Sequence, residues 1–339
     1  MNPNTLHRFP TLFLALGLLC LADPFSQIAA QEYAKEVEEI RTATKLTLNM
    51  EETENFLWVY TVATPTLKKV SNTGEAAFKV FKEVSGITSF EEIWGPSREG
   101  NRKCIAFVLK NKLDYRKILA WYEEKYDPYK GFKDVAGGAS YITQPAPRVA
   151  IFIHALPVAE ADLTYVIAHE VGHLCIQRYA YHNNHLPPWL EEGFALWMEA
   201  RVMKGTNCYC FSGGYGDSAG GIKDMSKFEW TKWRELNTRL VGRSADKNLK
   251  DLLRLRLNEL SSLDAAKAAS IVDFLVAKDS KKFVLFLRKM KGAWPQGDYD
   301  PAYKAEHLKA QERGLKDSFD WDVDTLDREW RAWAKKGMK

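Results

Sequence analysis

Two histidines and a glutamate in the segment His169-Glu170-Val171-Gly172-His173 have the types and the spacing needed to activate water at a metal ion. On a helix, residues four apart lie one above the other on the same face, so both imidazoles can bind one ion. Zinc accepts imidazole nitrogens as tetrahedral ligands. Glu170 follows His169 directly and would lie close enough to a metal-bound water to take its proton. The segment therefore predicts a hydrolytic zinc site, and an amphipathic helix with three solvated side chains is the alternative.

A third protein ligand is required, because catalytic zinc is held by three side chains and keeps its fourth position for water. Glu192 stands nineteen positions after His173, within Trp189-Leu190-Glu191-Glu192-Gly193-Phe194-Ala195. Glu191 competes for this role. Successive helical residues point about 100° apart, so only one of the two glutamates can face the metal.

The two segments together resemble the gluzincin peptidases, and most closely the small bacterial proteins described as peptidase MA-like; the M1 aminopeptidases are more distantly similar. In the aminopeptidases, eighteen residues separate the second histidine from a glutamate ligand in a Trp-Leu-x-Glu-Gly-Phe-Ala segment, and Glu192 has that spacing and those neighbours. The resemblance, which covers about residues 150–200, implies a zincin-like fold and a peptide or protein substrate. It also implies one zinc ion (Zn2+) held by His169, His173 and Glu192, with Glu170 as the general base.

The resemblance leaves several roles open. Glu199 lies on nearly the same helical face as Glu192, at a position where related peptidases often carry a glutamate, so it either orients a ligand histidine or faces solvent. The tetrahedral intermediate needs a proton donor opposite the metal. Its candidates, each of which could instead be a surface residue, are Tyr209, Tyr215, His182 and His185. The Gly-x-Met-x-Asn segment with which the aminopeptidases recognise a substrate amino terminus is absent, which favours an endopeptidase.

The composition indicates which partners to expect, and the first thirty residues indicate the cellular compartment. A net charge of +4 and 27% charged residues give no indication of a nucleic-acid partner. The apolar run at 11–21 follows His7 and Arg8 and is too short to span a bilayer as a stable helix. It favours a signal peptide over residues 1–30, cleaved after Ala30. We therefore expect an exported protein without a stable membrane span after signal removal; an uncleaved anchor is the alternative.

Four cysteines remain once the signal peptide is removed, and an even number in an exported protein permits disulfides. They are Cys104, Cys175, Cys208 and Cys210. The sequence does not define their pairing. Cys175 follows the second histidine by two residues and is expected to be a small buried residue rather than a ligand.

The pattern of apolar residues predicts an α+β fold with a first lobe over residues 31–205, and the resemblance implies that this lobe is a zincin-like mixed-sheet lobe. This lobe is followed by a glycine-rich loop at 206–224 and a mainly α-helical C-terminal lobe at 225–339. Predicted strands and helices of the first lobe are 45–63 (strand, turn, strand), a helix ending before Gly86, 103–109 (strand), 115–126 (helix), 137–141 and 149–153 (strands). Predicted helices of the second lobe are 248–260, 265–277, 281–290 and 326–334.

Two helices carry the proposed ligands. The first is expected to start after an N-cap at Asp162 and to run to about Tyr179, and the second to run from Pro187-Pro188 to about Met203. Gly172 is unfavourable in a helix interior by about 1 kcal/mol, so close packing against the second helix is expected there. The resemblance implies that an edge strand beside the metal helix, either 137–141 or 149–153, holds an extended substrate. Gly137 and Gly138 favour the first strand, and a simple turn is the alternative.

Two other functions remain open. The chain could be a non-catalytic, zinc-stabilised module that binds a peptide or a cell-envelope partner. Glu170 argues against this interpretation, because a structural zinc needs no base. Alternatively, the same activated water could hydrolyse a bond other than a peptide bond, since a fold alone does not define a substrate.

Overall fold

The parts of the chain described by the computed structural model are residues 24–87, 103–126, 139–142, 150–154, 162–179, 186–207, 228–293 and 301–338. The strands are β1 Asn49–Glu52, β2 Phe56–Tyr60, β3 Cys104–Leu109, β4 Ala139–Ile142, β5 Ala150–His154, β6 Gly205–Thr206 and β7 Phe228–Glu229. The helices are α1 Pro24–Thr44, α2 Thr64–Ser85, α3 Lys112–Lys125, α4 Leu163–Arg178, α5 Pro188–Met203, α6 Trp230–Gly242, α7 Leu249–Leu252, α8 Ser262–Ala293, α9 Pro301–Phe319 and α10 Val323–Lys335. The predicted α+β class is confirmed, with helices predominating over one small mixed sheet.

Within the described residues, five strands form the main sheet in the order β1-β2-β3-β5-β4. The central strands β2, β3 and β5 are parallel, whereas β1 and β4 pair antiparallel at the two edges. Each parallel connection passes through a helix, α2 between β2 and β3 and α3 between β3 and β5. The segment 137–141 therefore contributes the edge strand β4, although Gly137 and Gly138 themselves lie outside the described residues.

Side chains of the central strands alternate between two cores, because successive residues of a strand point to opposite faces. One face lies against α2 and α4 and carries Phe56, Trp58, Cys104, Ala106, Val108, Ile151 and Ile153. The other face lies against α1 and α3 and carries Leu57, Val59, Ile105, Phe107 and Phe152. Helices cover both faces, which explains why these strands are almost continuously apolar.

Helix α2 lies between the sheet and helices α4 and α5, which carry the predicted metal ligands. It ends as predicted at Gly86, whose φ of 66° is left-handed and whose N–H donates to the carbonyl of Lys82. Gly74 permits close contact with the sheet, since a Cβ there would lie 2.8 Å from the indole ring of Trp58. The same helix therefore connects the sheet to α4.

The single helix predicted over 248–260 is wrong. Helix α7 covers only Leu249–Leu252, and a 3-10 turn follows at Leu257–Glu259. The side-chain amide of Gln311 donates to the carbonyl of Leu253 at 3.0 Å, so α9 occupies a carbonyl that a longer helix would have used. Leu249, Leu252, Leu253 and Leu260 are buried although the segment is not one helix, which local periodicity does not reveal.

The two helices predicted at 265–277 and 281–290 both lie within α8, which is interrupted at Asp279. The extended backbone of Asp279 (φ −167°, ψ 100°) breaks the helix, and its carboxylate accepts a hydrogen bond from the N–H of Lys282 at 3.0 Å. Asp279 therefore acts as the N-cap of the second half. The predicted helix at 326–334 lies within α10.

The helices of the described residues are also informative about membrane insertion. A bilayer span requires about 20 predominantly apolar residues. Across the described ranges, each helix falls short of the length or the apolar content that such a span needs.

Candidate metal centre

Helices α4 and α5 together carry all four residues of the predicted site. Helix α4 begins directly after Asp162 and is followed by Tyr179, in agreement with the predicted bounds. Helix α5 has proline in its first turn and ends at Met203, again as predicted. Both helices are buried on nearly every side, because α2 and the sheet cover α4 while α8 covers α5.

Two glycines determine how closely α5 approaches its neighbours. A Cβ on Gly172 would lie 2.9 Å from the Cα of Ala195 and 3.1 Å from the Cβ of Met198, so only glycine allows α4 and α5 this contact. On the opposite side of α5, a Cβ on Gly193 would lie 2.9 Å from the backbone of Ala268 in α8. The close packing that we predicted at Gly172 is confirmed, and it brings Glu192 over the histidines.

His169, His173 and Glu192 direct their ligand atoms to one point, with those atoms within 4.8 Å of one another. The two Nε2 atoms are 3.0 Å apart. The carboxylate of Glu192 places Oε1 3.7 Å from His169 Nε2 and Oε2 3.5 Å from His173 Nε2. Ligands held tetrahedrally at about 2.0–2.1 Å from an ion lie about 3.4 Å apart, so the observed separations fit a metal ion at the centre of the group.

Burial and the carboxylate of Glu192 together set the protonation of the site. Burial would lower the pKa of His173, but the hydrogen bond and charge of Glu192 outweigh it and raise that pKa. His169 is fully buried, and this burial lowers its pKa to about 3, which outweighs the opposing charge of Glu192. A neutral imidazole is the form that binds a metal. Burial likewise raises the pKa of Glu170 to about 7, while His173 lowers it and Glu192 raises it. A carboxylate with this pKa can both accept and release a proton near neutral pH.

Glu191 and Glu192 are clearly distinguished. Glu192 belongs to the buried group of His169, His173 and Glu192, which we call the ligand group. Glu191 is only half-buried and accepts a hydrogen bond from the N–H of Leu186 at 2.5 Å. Glu191 therefore holds Leu186, two positions before the first residue of its own helix.

Glu199 lies behind His169, on the side away from the ligand group. Its Oε2 is 3.4 Å from Nδ1 of His169, and its Oε1 accepts a hydrogen bond from the backbone N–H of Asn207. The carboxylate is fully buried. Of the two alternatives that the sequence left open, the position behind the histidine is the one observed. A carboxylate there fixes the orientation of the imidazole and leaves Nε2 for a metal.

The other sequence candidates have different outcomes. Tyr209, Tyr215, His182 and His185, the four candidate proton donors, lie outside the described residues, as do Cys208 and Cys210. Cys104 and Cys175 are buried free thiols. Burial raises the pKa of both, so both thiols are protonated near neutral pH. Cys175 packs in the apolar core, as expected.

The sequence did not identify three residues that lie near the site, namely Asp162, Asn207 and Tyr165. Asp162 was predicted only as a helix cap, and Asn207 had no motif to mark it. Tyr165 lies one turn before His169 on the same face of α4 and is partly exposed. The four-residue spacing between Tyr165 and His169 was the sequence feature that could have identified it. Burial raises the pKa of the Tyr165 hydroxyl, and the charges of Glu199 and Asp162 raise it further.

No family model matches this chain, and a search of curated proteins found no match. The site must therefore be interpreted from its own geometry and from the sequence motifs.

Proposed function

We propose that this protein is a zinc-dependent metallopeptidase of the gluzincin type, exported from the cell and more suited to endopeptidase than to aminopeptidase activity. The observation that carries the proposal is the buried convergence of His169, His173 and Glu192 beside Glu170. A hydrolytic zinc centre needs three ligands, an open position and a base, and these four residues would supply the ligands and the base.

The donor set favours a transition metal over calcium or magnesium, and we propose zinc because the H-E-x-x-H arrangement of His169, Glu170 and His173 is typical of zinc peptidases. Two imidazoles and one carboxylate suit zinc, whereas calcium and magnesium prefer sites made of oxygen. When bound, zinc would polarise the scissile carbonyl and lower the pKa of a water molecule. Glu199 would keep the His169 ring in the orientation that presents Nε2.

Glu170 would act as the general base. It precedes His173 by three positions on α4, is 1% exposed, and has a pKa raised to about 7. It would take the proton of the attacking water and pass it to the leaving amine, which needs a group that changes protonation near neutral pH.

The sheet supports a peptide substrate. Strand β4 is the outermost strand in the described part of the sheet, pairs antiparallel with β5, and lies against α4. An edge strand can hold an extended peptide by main-chain hydrogen bonds. Because the edge lies next to the ligand helix, a peptide added there would run along the zincin-like cleft that we propose.

A second candidate function is a non-catalytic, zinc-stabilised module that binds a peptide or cell-envelope partner. One observation favours it: the ligand group is closed, with Glu192 fully buried and His173 4% exposed. Structural zinc sites are closed, whereas catalytic sites keep one position accessible. The buried base Glu170 favours the peptidase instead.

Metal content and peptide turnover of the purified protein test the proposal. We expect about one zinc per chain and cleavage of a mixed peptide library that stops when a chelator removes the metal. Glu170→Gln should keep the zinc and lose about 10²–10⁴-fold in turnover, as expected for a general base. Glu191→Gln is the matched control, because it changes the neighbouring carboxylate of α5 that accepts from Leu186, and should retain activity.

Each outcome separates the candidates. Zinc-free wild-type protein would exclude a zinc centre altogether. Zinc binding with no cleavage anywhere in the library would favour the binding module, and unaffected turnover in Glu170→Gln would show that Glu170 is not the base.

A further inference from the structure

Asn207 lies between two carboxylates behind the ligand group. Its backbone N–H donates to Oε1 of Glu199, and its side-chain amide donates to Oδ1 of Asp162 at 2.7 Å. Glu199 in turn places Oε2 3.4 Å from Nδ1 of His169. A continuous polar chain thus runs from Asp162 through Asn207 and Glu199 to a ligand histidine.

The behaviour of Asp162 shows that this arrangement differs from ordinary helix capping. Asp162 occupies the N-cap position of α4, where an aspartate normally accepts a hydrogen bond from the first turn of its own helix. Here its backbone is helical (φ −86°, ψ −18°) and it makes no such bond. The carboxylate instead binds Asn207, so the residue stabilises a contact between segments rather than its own helix.

The location of Asn207 allows its hydrogen bond with Asp162 to connect two segments of the chain. It directly follows β6, which pairs with β7 and comes just after the end of α5. The side-chain amide of Asn207 therefore joins the start of α4, which carries the histidines, to the segment that follows α5, which carries Glu192 and Glu199. The pairing of β6 with β7 and the hydrogen bond to Asp162 both restrain Asn207. Its backbone N–H therefore fixes Glu199 more firmly than a donor on an unrestrained segment would, because less backbone conformational entropy is lost when the hydrogen bond forms.

We propose that Asp162 and Asn207 are positioning residues that hold the Glu199 carboxylate against His169 and so orient the metal-binding nitrogen of that imidazole. The inference rests on the proposed metal centre. It assigns the two residues no contact with substrate or metal; they act through Glu199.

Zinc affinity, measured by competition with a chromophoric chelator, is the direct test. Asp162→Ala and Asn207→Ala should each weaken zinc binding about tenfold, the lower end of the range for partners of a ligand. The double variant should lose no more than either single one, since both changes break the same contact. Asp162→Asn keeps an oxygen acceptor for Asn207 and should restore most of the affinity.

Asp322→Ala is the matched control for loss of stability. Asp322 is a true N-cap, whose carboxylate accepts from the N–H of Thr325 at 2.7 Å, and it lies at the start of α10. This variant should lower the denaturation midpoint of the metal-free protein while leaving zinc affinity unchanged. Asn207→Ala made together with Glu199→Ala should add no loss beyond Glu199→Ala alone.

The results distinguish this inference from the proposed function. If the wild type binds zinc and both alanine variants bind it equally well, the positioning role is wrong and the metal centre stands. Loss of affinity in Asp322→Ala as large as in Asp162→Ala would reduce the effect to general destabilisation and overturn the inference. If the wild type binds no zinc, the metal centre itself fails, and the positioning role fails with it.

Discussion

The ligand group of His169, His173 and Glu192 and a second, partly buried polar cluster balance their charges in different ways. The second cluster, which we call the ion-pair cluster, consists of Asp246, Lys267, Asp327 and Arg331 and joins the segment after α6 to α8 and α10. Lys267 Nζ lies 2.7 Å from one carboxylate oxygen of Asp246, and Arg331 lies 2.7 Å from the other. Two cations therefore face two anions within the chain itself.

The ligand group has a different composition. Its carboxylates, Glu192 and the neighbouring Glu170 and Glu199, face imidazoles. One of these, His169, is kept neutral by a pKa of about 3, whereas Glu192 raises the pKa of the other, His173, against the effect of burial. A buried charge is expensive unless it is paired or bound to a metal. The ion-pair cluster is complete as a structural element, whereas a divalent cation would complete the ligand group.

This comparison predicts that removing Asp246 has the largest effect on stability. Asp246→Ala should lower the free energy of unfolding by about 3–5 kcal/mol, because it leaves Lys267 buried with its main ion-pair partner gone. Chemical denaturation measures this change, and zinc affinity should remain that of the wild type. Asp279→Ala, which removes an exposed helix cap, should lower stability by only about 1 kcal/mol. If the two variants are equally stable, the ion-pair cluster has no special role.

Removing Glu192 should have the opposite effect, with a large loss of zinc affinity and a smaller loss of stability. Structural zinc binding amounts to about 10–16 kcal/mol shared among four ligands, so Glu192→Ala should weaken zinc binding by about 10²–10³-fold or more. The metal-free protein should lose less stability than Asp246→Ala does, because Glu192 faces imidazoles rather than permanent cations. Chelator competition and denaturation of the metal-free variant check the two parts. A metal-free protein destabilised as strongly as Asp246→Ala would remove the distinction between the clusters.

The contact between α4 and α5 gives a smaller, geometric prediction. Gly172→Ala gains about 1 kcal/mol in helix propensity, but overpacking against Ala195 should lower stability by about 1–3 kcal/mol and separate the ligand helices. We therefore expect a net loss of stability together with weaker zinc binding. Gly242→Ala is the control, since a Cβ there meets nothing within 4 Å and should be neutral or stabilising. Zinc affinity that survives in Gly172→Ala would show that the ligand geometry tolerates a wider helix spacing.

The sequence was sufficient for features that depend on short spacings. His169 and His173 are one helical turn apart, and Asp162 and Pro188 stand at the helix starts, so the bounds of the two helices could be predicted, although the side chain of Asp162 does not cap its helix as expected. Glu192 needed the resemblance as well, because Glu191 satisfies composition equally well. Glycine at 172 predicted a close contact, since a glycine in a helix interior needs a reason.

Long-range contacts could not be predicted from the sequence. Asn207 and Asp162 are 45 residues apart, and Asp246 and Arg331 are 85 apart, so no local pattern connects them. The same limit explains the wrong helix at 248–260, where Gln311 of α9 binds the carbonyl of Leu253. The order of the strands, which puts β4 at the edge beside α4, likewise depends on pairing between distant segments.

The smallest expected effect is the pH dependence contributed by the ion-pair cluster. Burial alone would raise the pKa of Asp246, but hydrogen bonds from Lys267 and Arg331 outweigh it and lower the pKa. A carboxylate with a lowered pKa stabilises the fold fully above its unfolded pKa of about 3.9, and this stability is lost as the pH falls through the folded pKa. Wild-type stability should therefore fall more steeply below about pH 4 than that of Asp246→Asn.

The difference in slope is bounded, because one group contributes at most one proton, or about 1.4 kcal/mol per pH unit. Denaturation curves between pH 7 and about pH 3 measure it, with Asp251→Asn, an exposed aspartate of α7, as the control for the removal of one carboxylate. Equal slopes in all three proteins would mean that the charge of Asp246 is balanced in the unfolded chain as well. A shallower slope in Asp246→Asn alone would show that this cluster, unlike the ligand group, draws its stability from charges that the chain itself supplies.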